Sequence, residues 1–131
     1  MLLDGAHNPH GVAALAVSLR ELLPHISGGA PTVVMAVMAN HWQPGMIDPL
    51  VAALPGATVI ATSVPDSTNS FSVDRLALEW GPGARPIADP ETALNVGLAN
   101  ARNAGGLLIV CGSLYLVGYV RGQLLGTDQP A

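Results

Sequence analysis

Leu107-Leu108-Ile109-Val110-Cys111 is apolar at every position, and Thr32 to Met38 is nearly so. A strand with one wet face alternates apolar and polar residues. A strand that shows no alternation is covered on both faces, and such strands belong to parallel sheets packed between helices. Thr58 to Thr62 reads the same way, and the segments between these runs carry apolar residues at helical spacing. Strands alternating with helices specify an α/β fold with a mostly parallel sheet.

The intervening segments have clear boundaries. Leu2-Leu3 is the stub of a first strand, and Asp4 to Pro9 is a polar turn in which Asn8 can cap a helix and Pro9 can open it. Val12, Leu15, Ala16, Leu19, Leu22 and Leu23 form the apolar stripe of that helix, which Pro24 and Gly28-Gly29 end. After the Thr32–Met38 strand, Met46 to Leu54 forms a short helix, then Thr58 to Thr62 a strand, then Ser63 to Ser70 a polar loop. Ser72 opens a helix to Trp80, and Arg85 to Ala88 is short enough for a strand near a sheet edge. Asp89 and Pro90 start a helix that runs to Asn103, ahead of the Leu107–Cys111 strand. Gly112-Ser113 turns into a last helix ending near Leu125, and Gly126 to Ala131 is expected to fray. The expected architecture is a Rossmann-like three-layer sandwich, with about five strands in one domain of 131 residues. Because the first strand is only a stub behind Met1, we expect the chain to begin partway through a larger protein.

Composition excludes several functions. Half of the residues are hydrophobic but only 4% are aromatic, so Ala, Val, Leu and Ile must fill the core, with Trp42 and Trp80 expected as packing residues. Net charge is -4, with no basic stripe for nucleic acid or an anionic membrane. No apolar run is long enough to span a bilayer, and with no signal peptide and a single cysteine, Cys111, the expected location is cytoplasmic. All five basic residues are arginine, so a P-loop, which needs a lysine on its phosphates, is excluded, as is lysine-based covalent catalysis. The four histidines and Cys111 lack the spacing of a zinc site, and Ser113 lacks the flanking glycines of a hydrolase elbow.

Ligands of open parallel sheets bind at the carboxyl ends of the strands. That rule selects Asp4 to Asn8, Asn40-His41, Ser63 to Asp66, and Gly112 to Tyr115 as a common rim. Asp4 can accept ribose hydroxyls or hold a cation, and His7 can orient an anion. Ser113 stands at a helix N-terminus whose amides favour a carboxylate or phosphate. Each of these residues could equally be a turn or cap residue.

Taken together, Leu3-Asp4-Gly5-Ala6-His7-Asn8-Pro9 and Gly112-Ser113-Leu114-Tyr115-Leu116-Val117-Gly118, followed by Val120-Arg121, resemble the C-terminal domain of folylpolyglutamate synthase/dihydrofolate synthase, within the Mur ligase superfamily. The two motifs lie at opposite ends of the chain. The resemblance implies ATP-dependent amide formation, in which a folate carboxylate is phosphorylated and the acyl phosphate is attacked by the amine of L-glutamate. It implies that Asp4 and Asn8 face the nucleotide, and that His7, Ser113 and Tyr115 face glutamate, with no catalytic residue or metal ligand in this chain. ATP with Mg2+ and much of the folate site would belong to an N-terminal ATPase domain that is absent here, leaving this chain inactive alone. The resemblance also implies a lysine near Asn40, where the chain reads Ala39-Asn40-His41, and an arginine in the loop that here reads Ser67-Thr68-Asn69-Ser70. The competing expectation is a free-standing, non-catalytic ligand-binding module derived from such a domain.

Overall fold

The computed structural model describes residues 1–26 and 28–126. Five strands, β1 (Leu2–Asp4), β2 (Thr32–Met35), β3 (Thr58–Ala61), β4 (Ala84–Pro86) and β5 (Leu108–Cys111), form one sheet in the order β1-β5-β2-β3-β4, and every pairing in it is parallel. The helices are α1 (Pro9–Leu22), α2 (Asp48–Ala53), α3 (Val73–Trp80), α4 (Pro90–Ala104) and α5 (Leu114–Gly126).

The unalternating strands are explained by two cores. Val33, Met35, Val59, Ala61, Ile109 and Cys111 point to one face and pack under Val12, Leu15 and Leu19 of α1, Leu50 of α2, and Leu76 and Trp80 of α3. Their neighbours Val34, Ile60, Leu108 and Val110 point to the other face, under Ala93 and Leu94 of α4 and Leu116 and Val120 of α5. Successive strand residues face opposite ways, so two covered faces need apolar residues at every position. The expected three-layer sandwich is therefore the observed one. At 0% exposure, Val33 and Val34 show that both faces are dry. Trp80 is buried in the first core, and Trp42 stacks on Phe71 with ring centroids 4.1 Å apart.

Caps set the helix starts as local chemistry dictates. The side chains of Asn8, Ser72 and Asp89 accept from the backbone N–H of Gly11, Arg75 and Thr92, respectively. The Thr92 hydrogen bonds hold the Asp89 carboxyl below its ordinary range.

Several boundaries differ from expectation. The strand expected over Thr32–Met38 leaves the sheet after Met35, because the Val37 carbonyl accepts from Phe71 N–H at 2.7 Å and Met38 bridges Ser70 in antiparallel fashion. The chain there pairs with a returning loop rather than with a sheet neighbour. The helix expected from Met46 starts at Asp48, since Met46 and Asp48 close turns on Gln43 and Gly45. The edge strand spans Ala84–Pro86 instead of Arg85–Ala88. Pro24 lies inside a 3₁₀ turn, Leu23–His25, that prolongs α1. Of the tail expected to fray, Gly126 ends α5 and residues 127–131 lie outside the described residues. Among the described residues, no helix is long and apolar enough to cross a membrane.

Candidate functional site

β5 lies between β1 and β2, and this insertion decides where the site can be. The loops leaving β1 and β2 lead to helices on one face of the sheet, whereas the loop leaving β5 leads to α5 on the other. Loops that part to opposite faces open a crevice at the carboxyl edge. A cavity of about 230 Å³ lies there, lined by His7, Met38, His41, Ser113, Leu114 and Tyr115. Two ends of the sequence are thus brought to one place.

Each wall is fixed by local hydrogen bonds. Asp4 ends β1, and its Oδ1 accepts from Ala6 N–H at 2.9 Å, tightening the turn. His7 Nδ1 lies 2.9 Å from the Gly5 carbonyl oxygen, so Nδ1–H donates and Nε2 is the ring nitrogen left for a ligand. The His7 and His41 rings are 5.2 Å apart between centroids, tilted by 48°. Asn8 sits one residue beyond His7, and its Oδ1 is engaged with Gly11 N–H at 2.7 Å, leaving the amide NH₂ outward.

Ser113 is 2% exposed, and its Oγ accepts from Tyr115 N–H at 3.1 Å and Leu116 N–H at 3.4 Å. The hydroxyl hydrogen is then the group Ser113 can donate. Tyr115 is 67% exposed and carries its ring over the rim. Cys111, behind the site, is fully buried, and burial first, with the Asp4 charge second, pushes its thiol up to about 12. It is a core residue rather than a nucleophile.

A second cavity, about 520 Å³, adjoins the first through shared Met38 and Tyr115 and is lined further by Pro65, Asp66, Ser67 and Tyr119. Its loop is tied to the segment that follows β2 by the Ser67 hydroxyl donating to the Met38 sulfur at 3.6 Å, and is closed on itself by Val64 N–H donating to Ser70 Oγ at 2.9 Å. Burial, then Glu91, Asp89 and Asp66, raise the Tyr119 phenol above its ordinary range.

Of the rim residues read from sequence, His7, Ser113 and Tyr115 share a cavity wall, while Asp4 and Asn8 flank it. His41 and Met38 are additions. The sequence puts His41 on the rim without giving it a role, and Met38 is hidden in an apolar run that reads as strand three residues past its true end. In the two segments where the resemblance implies cations, the chain has amides bonded to each other, Asn69 Nδ2 donating to Asn40 Oδ1 at 3.1 Å. Among the described residues, no three His, Cys, Asp or Glu side chains gather as they would around a metal ion. With no lysine in the chain as well, these residues do not fit Mg2+ or a triphosphate.

A folylpolyglutamate synthase from Lacticaseibacillus casei is 31% identical over 127 residues, 96% of this chain and 27% of that protein. This chain belongs with the folylpolyglutamate synthases. No protein-family model matches it. The bifunctional folylpolyglutamate synthase/dihydrofolate synthase of Yersinia pestis, complexed with AMPPNP and Mn ion, superposes with a TM-score of 0.75 at 26% identity, covering 93% of this chain and 28% of that one. A bifunctional folylpolyglutamate synthase/dihydrofolate synthase with Mn, AMPPNP and L-glutamate bound gives a TM-score of 0.70 at 25% identity, covering 93% of this chain and 28% of that one. Mycobacterium tuberculosis folylpolyglutamate synthase, complexed with ADP and AMPPCP, gives a TM-score of 0.72 at 26% identity, covering 97% and 30%. The chain thus spans a little over a quarter of the length of the synthases it matches.

Proposed function

We propose that this chain is the C-terminal, glutamate-facing domain of an ATP-dependent folylpolyglutamate/dihydrofolate synthase. One observation carries the reading: His7, from the first loop, Ser113, from the last, and Tyr115, in the first turn of α5, line a single cavity at the switch point of the sheet. The similarity to the synthases above, one of them solved with L-glutamate, supports it.

In this reading, His7 Nε2, the Ser113 hydroxyl and the Leu114 N–H, the first-turn amide of α5 that Ser113 does not cap, hold a carboxylate of L-glutamate, with Tyr115 covering it. Asp4 Oδ2 and the Asn8 amide face the ribose side of the nucleotide. When bound, ATP with a divalent metal supplies the phosphoryl group that activates the folate carboxylate, and the N-terminal ATPase domain holds both. This chain's share is to orient the amino acid and to exclude water as the domains close.

Calorimetric titration of the chain with L-glutamate tests the assignment. Weak binding that Ser113→Ala abolishes is expected. Binding indifferent to Ser113→Ala would overturn it, as would ATP turnover by this chain alone.

A second reading, a ligand-binding module without catalysis, is favoured by the Asn40–Asn69 pair standing where the resemblance implies cations. Joining this chain to the P-loop half of a related synthase separates the two. Amide formation supports the ligase, and glutamate binding without it supports the module.

A further inference from the structure

His7 comes from the loop after β1 and His41 from a 3₁₀ turn, Ala39–His41, yet both rings line the smaller cavity, with centroids 5.2 Å apart and planes tilted by 48°. That separation is the one a single tetrahedral ion imposes on two imidazoles. With Zn–N bonds of about 2.0–2.1 Å, each ring centroid stands about 3.2 Å from the ion, and a tetrahedral angle then sets the centroids about 5.2 Å apart. Two adjacent ligands of a square-planar ion would be drawn in to about 4.5 Å. His7 is also oriented as a metal ligand needs. Its Nδ1–H donates to the Gly5 carbonyl at 2.9 Å, which fixes the tautomer and leaves the Nε2 lone pair free. The backbone under His41 is equally set, because its N–H donates to the Met38 carbonyl at 3.0 Å and the next residue, Trp42, is stacked on Phe71.

We infer that His7 and His41 form a two-histidine site for a tetrahedral divalent ion of the zinc class, with its remaining positions open to the cavity. The donor set selects the ion. Two imidazoles and no carboxylate line the cavity, which suits Zn2+ and not Mg2+ or Ca2+, whose ligands are oxygens. Among the described residues no third His, Cys, Asp or Glu joins the pair, so the site is open and water or an anion completes it. Met38 is not a further ligand, since its sulfur accepts from the Ser67 hydroxyl. No arginine lines the cavity, so the ion would give this rim a full positive charge that its side chains do not otherwise supply. The inference goes beyond the glutamate reading and does not rest on it, because the ion alone is the ligand.

Titration of the metal-free chain with Zn2+, read by competition with a chromogenic chelator, tests the site. One ion should bind per chain, and His41→Gln and His7→Gln should each weaken it by at least about tenfold. His10 and His25 lie outside the cavity, so the double variant His10→Gln/His25→Gln should bind as the wild type does. Co2+ in place of Zn2+ should show the intense visible absorption of a tetrahedral ion. A folded wild-type chain that binds no Zn2+, binding indifferent to His41→Gln, binding lost in the His10→Gln/His25→Gln variant, or the pale spectrum of octahedral Co2+ overturns the site. No amino acid enters these titrations, so any of those results leaves the glutamate reading standing.

Discussion

Gly112 joins β5 to the helix that carries Ser113, and replacing it with alanine should be far more costly than its setting in a turn would imply. Its φ is 99°, where side chains are strained, and an added Cβ would run into the Ala36 carbonyl oxygen, with Met35 Cγ at 3.0 Å and the Ala36 carbonyl carbon at 3.2 Å. Gly105 at the end of α4 is the control. It has a φ of 67°, caps the helix in the left-handed conformation, and has nothing within 4 Å of where an added Cβ would sit. Gly105→Ala should therefore lose only the conformational preference, about 1 kcal/mol. Gly112→Ala adds a clash with the Ala36 backbone, which follows β2 directly and is held by its N–H donating to the Cys111 carbonyl at the end of β5, a further about 1–3 kcal/mol. With an unfolding entropy of about 2.1 cal/mol/K per residue, the expected drops in Tm are about 4 °C for Gly105→Ala and about 11 °C for a total loss near 3 kcal/mol in Gly112→Ala. Thermal melts followed by far-UV circular dichroism measure both. Equal losses in the two variants would refute the claim that backbone crowding, and not φ alone, dictates glycine at 112.

The cap and the buried thiol make two further tests. Ser113→Ala should lower stability by about 1–2 kcal/mol through loss of the α5 cap, whereas Ser113→Gly should cost only a few tenths, as urea unfolding would reveal; equal costs would mean that the hydrogen bonds to Tyr115 and Leu116 do not stabilise the helix. Burial and Asp4 raise the Cys111 thiol from 9.0 to about 12, so the unfolded chain ionises first as pH rises, and stability present in full below about pH 9 should decline between there and about pH 12. Urea midpoints across that window should fall less in Cys111→Ala than in the wild type, and a thiol reagent near neutral pH should label Cys111 only in denaturant.

Local chemistry was legible in the sequence, and non-local pairing was not. Asn8, Ser72 and Asp89 announce their helices because a cap acts within three residues of itself. The two-sided burial of β2 and β5 follows from their unbroken apolar runs. Where β2 stops could not be read, since Ala36, Val37 and Met38 stay apolar while exchanging the sheet for the loop around Ser70 and Phe71. Nor could the insertion of β5 between β1 and β2, which sets Ser113 in one cavity with His7 and His41. The missing lysine and arginine were visible as absences, but the hydrogen bond that joins Asn40 to Asn69 depends on two loops 29 residues apart in sequence.

The placement of charge limits what this rim can do. Arg20 and Arg102 stand in the last turns of α1 and α4, Arg75 lies 5.0 Å over the Phe71 ring, Arg85 is in β4 and Arg121 in the body of α5. None lines either cavity. An anion at the switch point therefore meets imidazoles, a hydroxyl and the N-terminal end of α5. A single carboxylate can be held that way, because its charge is small and a helix N-terminus with one or two polarised donors offsets its desolvation. A triphosphate concentrates several charges that these donors cannot balance, and phosphoryl transfer depends on cations placed to stabilise them. The surface is thus suited to holding a single carboxylate and unsuited to activating one, so under the proposed ligase reading the activating half of the reaction has to be supplied from a different surface.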